Sequence, residues 1–210
     1  MNKDYTHITI VMDRSGSMTS CVKDMEGGLN TFIQDQKKEN SKCTVSFIRF
    51  DDQYEKVLDF VDIQAVGELK LEPRGYTALR DALGMAITDT GCVLDKMKEE
   101  DKPGLVIVFV ITDGGENFSK EITVEKLKKM IKHQQDVYNW HFNYLGANQD
   151  SFTEASKLGV NINNIANYDT SKGVETFNVY SNKLRFARCG TKLGQNVSMN
   201  FTDTEKDKMV

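Results

Sequence analysis

No apolar stretch in the 210-residue sequence approaches the ~20 residues that a membrane-spanning helix needs, and no basic-then-apolar leader precedes the first strand. Cysteine is sparse: Cys21, Cys43, Cys92 and Cys189 are widely spaced and never form CxxC. A chain of this length can bury a core without cross-links, so four reduced, inert thiols are expected rather than a disulfide framework or a zinc site. Together these absences point to a cytosolic protein. A basic excess is missing too. The formal net charge of −4 argues against a nucleic-acid binder, and Lys126, Lys128, Lys129 and Lys132 sit among acidic residues as on one solvated helix face. With 39% hydrophobic and 28% charged residues the composition is ordinary for a folded domain.

Extended and helical patterns alternate along the chain. His7–Met12 reads as a strand, and Val22, Met25, Leu29, Phe32 and Ile33 then recur at helical spacing. Thr44–Phe50 and Tyr54–Phe60 flank the turn Asp51-Asp52-Gln53, so they form an antiparallel hairpin. After Pro73-Arg74-Gly75, the residues Leu79, Ala82, Leu83, Ala86, Ile87, Val93, Leu94 and Met97 make one helical stripe. Leu105–Ile111 has no polar residue, as expected of a strand covered on both faces. A helix with Val124, Leu127, Met130, Ile131 and Val137 follows, then a strand over Trp140–Leu145. Ser151-x-x-Glu154 is a capping-box signature for a short helix ending at Gly159. Asn163–Tyr168 suits a last edge strand, and Val174, Phe177, Leu184 and Ala187 a final helix. The pattern predicts one α/β domain over 1–188 with a doubly wound, mostly parallel sheet and one antiparallel edge strand. Residues 189–210 are expected to form a loose, polar tail.

In such sheets ligands bind outside the carboxyl ends of the strands, at the switch point. There the first strand runs into Asp13-Arg14-Ser15-Gly16-Ser17, the apolar strand into Thr112-Asp113-Gly114, and Gly75-Tyr76-Thr77 precedes the second helix. Convergence of these loops would gather two carboxylates and three hydroxyls. An all-oxygen set suits a hard cation such as Mg²⁺. Taken singly, each motif is more commonly a helix cap or a turn.

Asp-x-Ser-x-Ser after strand one, Gly-x-Thr before a helix and Asp-Gly after a buried strand resemble the metal-ion-dependent adhesion site of the von Willebrand factor A family, a Rossmann-like fold. The resemblance implies Asp13, Ser15, Ser17, Thr77 and Asp113 as metal-site residues, with Mg²⁺ or Mn²⁺ as the ion. It also implies that Asp113 acts through water, and that a protein partner supplies an Asp or Glu to the open vertex. The compact form and Leu-Gly-Ala-Asn-Gln-Asp at 145–150 resemble stand-alone bacterial and bacteriophage members, which would work in a bacterial or host cytoplasm. Tyr76 and Arg14 are expected to point outward as partner contacts, Glu116 and Asn117 simply to begin the next loop, and His7, His133 and His141 to be structural.

Two other readings compete. A haloacid dehalogenase-type phosphohydrolase would need a second aspartate two residues after Asp13, where Ser15 stands; no Walker-type glycine loop or Gly-x-Ser-x-Gly elbow exists either. A scaffold whose metal serves only stability would show no linkage between the ion and partner binding.

Overall fold

The computed structural model describes residues 1–147 and 149–210, without the side chains of 149–152. Its strands are β1 (Asn2–Asp13), β2 (Lys42–Phe50), β3 (Tyr54–Asp62), β4 (Pro103–Thr112), β5 (His141–Gly146) and β6 (Ile165–Asn167). Its helices are α1 (Val22–Lys37), α2 (Leu79–Asp95), α3 (Val124–Tyr138), α4 (Gln149–Lys157), α5 (Gly173–Lys192) and α6 (Asp203–Met209). The six strands lie in the order β3-β2-β1-β4-β5-β6. All neighbours are parallel except the β2–β3 hairpin, which leaves β3 as an antiparallel edge. From β1 the chain winds outward through β2 and β3, then returns to the other side of β1 as β4. The switch point is therefore between β1 and β4.

Side-chain alternation divides the core between the two faces of the sheet. Leu105, Ile107, Phe109 and Ile111 of β4 pack with α1 and α5, while Val106, Val108 and Val110 pack with α2 and α3. On the first face Phe109 stacks on Tyr180 with ring centroids 3.6 Å apart. There α1 and α5 approach so closely that a Cβ on Gly28 would lie 2.5 Å from Phe177. The lysines at 126, 128, 129 and 132 of α3 are all exposed, the solvated face expected of them.

The C-terminal segment corrects the expectation of a loose tail. Helix α5 continues to Lys192, and the chain then folds back with Met199 and Phe201 buried. Asn143, itself buried, donates through Nδ2 to the Met199 carbonyl at 2.8 Å. Thr202 and Glu205 form a capping box that starts α6, and Met209 closes that helix onto the core. The apolar residues Val197, Met199 and Phe201 are few but alternate, so one side of a polar stretch is enough to anchor it. Smaller differences concern element ends. Val137, in the last turn of α3 before the left-handed Asn139, is exposed. Helix α4 begins at Gln149, ahead of Ser151, whose side-chain capping role lies outside the described residues, as does Asn148 of the 145–150 stretch.

All four cysteines are free, Cys21 and Cys43 buried and Cys92 and Cys189 exposed. Burial raises the buried thiols, to about 11 at Cys21 and about 12 at Cys43. Among the described residues no helix is long and apolar enough to cross a membrane.

His7 has a structural place. It is fully buried, stacks on Phe60 at 3.6 Å, and its Nδ1 and Nε2 lie 2.8 and 3.1 Å from the hydroxyls of Thr44 and Thr9. Burial lowers its pKa from 6.5 to about 3. The unfolded chain therefore binds a proton that the fold refuses, and stability contributed above pH 6.5 is lost as pH falls toward 3. Urea titrations across that window should show a declining unfolding free energy whose slope flattens in His7→Gln. An unchanged slope in the variant would contradict this role.

Candidate metal centre

Asp13 ends β1 and is fully buried. Its Oδ1 accepts from the Ser15 backbone N–H at 2.6 Å, a local turn that lifts Ser15 and Ser17 onto the rim. Its Oδ2 accepts from the Thr112 hydroxyl at 2.5 Å, across to the end of β4. The Ser15 and Ser17 hydroxyls are 3.1 Å apart, and Ser17 donates to Asp113 Oδ1 at 2.7 Å. Thr77 joins the group from the α2 side: a Cβ on Gly114 would lie 3.6 Å from Thr77 Oγ1 and 3.7 Å from Ser17 Oγ. All five expected residues thus meet at one rim.

Electrostatics at the rim favour a cation. Burial raises the Asp13 carboxyl to about 6, against hydrogen bonds from Thr112 and Ser15, and the neighbouring Asp113 adds to the rise. Burial raises Asp113 as well, opposed by the Ser17 hydrogen bond. Among the described residues no three of His, Cys, Asp and Glu cluster as metal ligands; here hydroxyls outnumber carboxylates. An octahedral ion with donors at about 2.0–2.1 Å sets adjacent donors about 2.9 Å apart. The Ser15–Ser17 separation, 3.1 Å, is close to that edge, and Ser17 donates outward to Asp113. The donor set fits Mg²⁺ or Mn²⁺ in chemistry and spacing.

Two expectations about the surroundings are corrected. Arg14 does not point outward: it is 1% exposed, with Nη1 donating to Glu55 at 2.6 Å and Nε 3.1 Å from Asp51, unaligned as a hydrogen bond. Two carboxylates of the hairpin make its burial tolerable. Glu116 and Asn117 do more than begin a loop. Asn117 Oδ1 accepts from Thr77 N–H at 3.0 Å, and Asn117 and Phe118 N–H both donate to the Thr77 carbonyl at 3.1 Å. Glu116 accepts from the Arg80 N–H at 2.9 Å, at the N-terminus of α2 where a carboxylate is favoured, and from the backbone of Phe118 and Ser119. These contacts clamp Thr77 between two loops. Its helix is capped by Ala78, so Thr77 is not the N-cap. Tyr76 is exposed as expected, at 61%, and stacks on Phe118.

Asp51 is the residue that the sequence did not single out. Fully buried, it accepts from Gln53 N–H at 2.6 Å and Arg74 Nε at 2.7 Å and faces Arg14, while its carbonyl accepts from Ala78 N–H at 2.9 Å. The Arg14 carbonyl accepts from Arg74 N–H at 2.7 Å, and Gly16 N–H donates to the Gly75 carbonyl at 3.2 Å. Gly75 has φ +68, and a Cβ there would fall 2.3 Å from Asp52 Oδ1, so only glycine fits. The one available signal was the acidic pair at the hairpin turn, beside an arginine in the Asp13 loop. Removing Asp51 leaves Arg14 buried and under-compensated. Asp51→Ala should cost about 3–5 kcal/mol in urea denaturation. Glu55→Gln should cost less than about 1 kcal/mol, because the Glu55 side chain is 41% exposed. Equal losses would contradict the central place given to Asp51.

A family model described as von Willebrand factor type A domain matches residues 8–116, a span that contains Asp13, Ser15, Ser17, Thr77 and Asp113. No curated protein matches the chain by sequence. Among solved structures, the von Willebrand domain of the type V pilus tip protein Mfa5 from Porphyromonas gingivalis superposes with a TM-score of 0.65 at 10% identity, covering 94% of this chain and 98% of that one. Proximal thread matrix protein 1 from the mussel byssus gives 0.59 at 14%, covering 90% of this chain but 46% of its own. Manganese-loaded TRAP protein from Plasmodium vivax gives 0.58 at 14%, covering 83% and 72%. At such identities the likeness is one of fold. The family model spans half of the sequence, and domains of this kind are typically non-catalytic adhesion or protein-interaction modules. The chain belongs to the von Willebrand factor type A domain family.

Proposed function

We propose that the chain binds one Mg²⁺ or Mn²⁺ at the β1–β4 rim and uses it to grip an Asp or Glu of a protein partner. The observation that carries this reading is the meeting of three hydroxyls and two carboxylates from three loops, with Ser15 and Ser17 at an octahedral-edge spacing of 3.1 Å. Ser15, Ser17 and Thr77 would hold the ion as neutral ligands, and Asp13 would lie in or beside the coordination shell. Asp113, hydrogen-bonded to Ser17, would orient that hydroxyl and act on the ion through water. A divalent ion held mainly by neutral donors supplies unspent positive charge, which an incoming carboxylate can satisfy. That a structural relative was solved with manganese supports the choice of ions.

The Thr77 clamp and the Arg14–Asp51 pair keep the loops in register before any ligand arrives, which lowers the ordering cost of binding. The exposed Tyr76, stacked on Phe118 beside the rim, is placed to touch whatever carries the carboxylate. A scaffold role for the metal has one specific point in its favour. A cation beside buried Asp13 relieves a carboxyl raised to about 6, which stabilises the fold with or without a partner. Partner capture that a chelator abolishes while the protein stays folded separates the two readings.

Calorimetric titration of Mg²⁺ and Mn²⁺ into chelator-stripped protein should show one saturable site, lost in Asp13→Ala with the circular dichroism spectrum retained. Ser15→Ala and Thr77→Ala should weaken the ion about ten- to a hundredfold rather than abolish it. Undiminished binding in Asp13→Ala, or none in the wild type, would refute the assignment.

A further inference from the structure

The other end of the sheet holds a cavity of about 600 Å³, between the N-terminal ends of β4 and β5 and the folded-back segment at 195–200. That volume lies within the about 300–1,000 Å³ usual for small-molecule sites. Its chemistry is unlike the rest of the surface. None of its sixteen lining residues is Asp, Glu, Lys or Arg, although these make up 28% of the chain, and seven are asparagine or glutamine. The one titratable group in the lining, His141, has its pKa lowered by burial and so stays neutral. Trp140 and Phe142, both buried, are also among the lining residues.

The walls are fixed rather than adaptable. Asn143 holds the Met199 carbonyl at 2.8 Å, and Phe201 N–H donates to the Asn163 carbonyl at 2.7 Å. Lys183 Nζ donates to the Asn200 carbonyl at 2.6 Å from outside the lining. Asn161 caps its own turn through Oδ1, which accepts from Asn163 N–H at 3.0 Å. Within this frame Asn164 is 8% exposed, and its Oδ1 has no hydrogen-bond partner in the protein. A buried amide oxygen without a donor is costly, and Asn164 is one of the residues that line the cavity.

We propose that this cavity binds a neutral, hydroxyl-rich small molecule, a mono- or disaccharide. Each primary amide offers a carbonyl acceptor and two N–H donors in one plane. That pairing matches adjacent hydroxyls, each of which both donates and accepts. A wall without charge gives no counter-ion to an ionised ligand, whose desolvation would go uncompensated, whereas hydroxyls trade water for amides at little loss. The site is independent of the metal rim, which lies at the opposite ends of the same strands.

Saturation-transfer NMR and calorimetry with glucose, galactose, mannose, N-acetylglucosamine, maltose and cellobiose test the proposal, with glucose 6-phosphate and glucuronate as charged controls. At least one neutral sugar should bind saturably, unaffected by chelator or by Asp13→Ala. Asn164→Ala should weaken it at least about tenfold. Asn139→Gly removes a lining amide while keeping the left-handed backbone at that position (φ 55), and serves if Asn164→Ala misfolds; the same weakening is expected. No binding up to about 50 mM, well beyond the range of weak specific association, would overturn the proposal. So would binding unchanged in every folded variant, or charged sugars binding as well as neutral ones.

Discussion

Hydrogen bonding between β1 and β4, with Met12 opposite Ile111, forces the loops after these two strands to leave the sheet side by side. The chain reverses its direction of winding here, so no crossover helix covers the gap between them. Asp13 and Thr112 are held 2.5 Å apart by that pairing, and the donors of the rim are arranged around their contact. A slip of one residue in the register would turn Asp13 and its neighbours to the opposite faces. The apolar alternation of β4, buried on both faces, opposes such a slip. Core packing therefore sets the placement of the polar rim above it.

A second level of control is electrostatic and local. Asp51 draws Arg14 and Arg74 together beneath the rim, and Glu116 and Asn117 fasten the third loop to α2 and Thr77. The residues that would touch an ion or a partner are few and small. Those that hold them carry more of the hydrogen bonds. A buried arginine flanked by carboxylates contributes little net stability compared with an apolar replacement, so the arrangement is better understood as fixing loop geometry than as adding to the fold's free energy.

Most of the fold was legible in the sequence because it depends on periodicity. The polar-free run at Leu105–Ile111 identified a central strand, the tight turn at Asp51–Gln53 an antiparallel hairpin, and the helical stripes the layers above and below. The five rim residues were legible because each follows a strand or precedes a helix, so their convergence comes from topology. Arg14 was misread because its partners lie 37 and 41 positions away, and such pairing leaves no local pattern. The tail was misread for a different reason. Its apolar residues are sparse, and average polarity hid the alternation of Val197, Met199 and Phe201 and the capping pair Thr202 and Glu205. The cavity near Asn164 had no signal in sequence at all, since its amides come from three separate regions of the chain, 135–139, 161–164 and 195–200.

The central claim is that the rim formed by the loops after β1 and β4 and before α2 is a divalent-cation site. The most direct test is an anomalous difference map from a crystal of the protein grown with Mn²⁺, collected at the manganese edge. The account predicts a single dominant peak in direct contact with the hydroxyls of Ser15, Ser17 and Thr77, with Asp113 contributing through water. A map whose only peaks lie elsewhere, or that shows none at a concentration saturating for the ion, would contradict it.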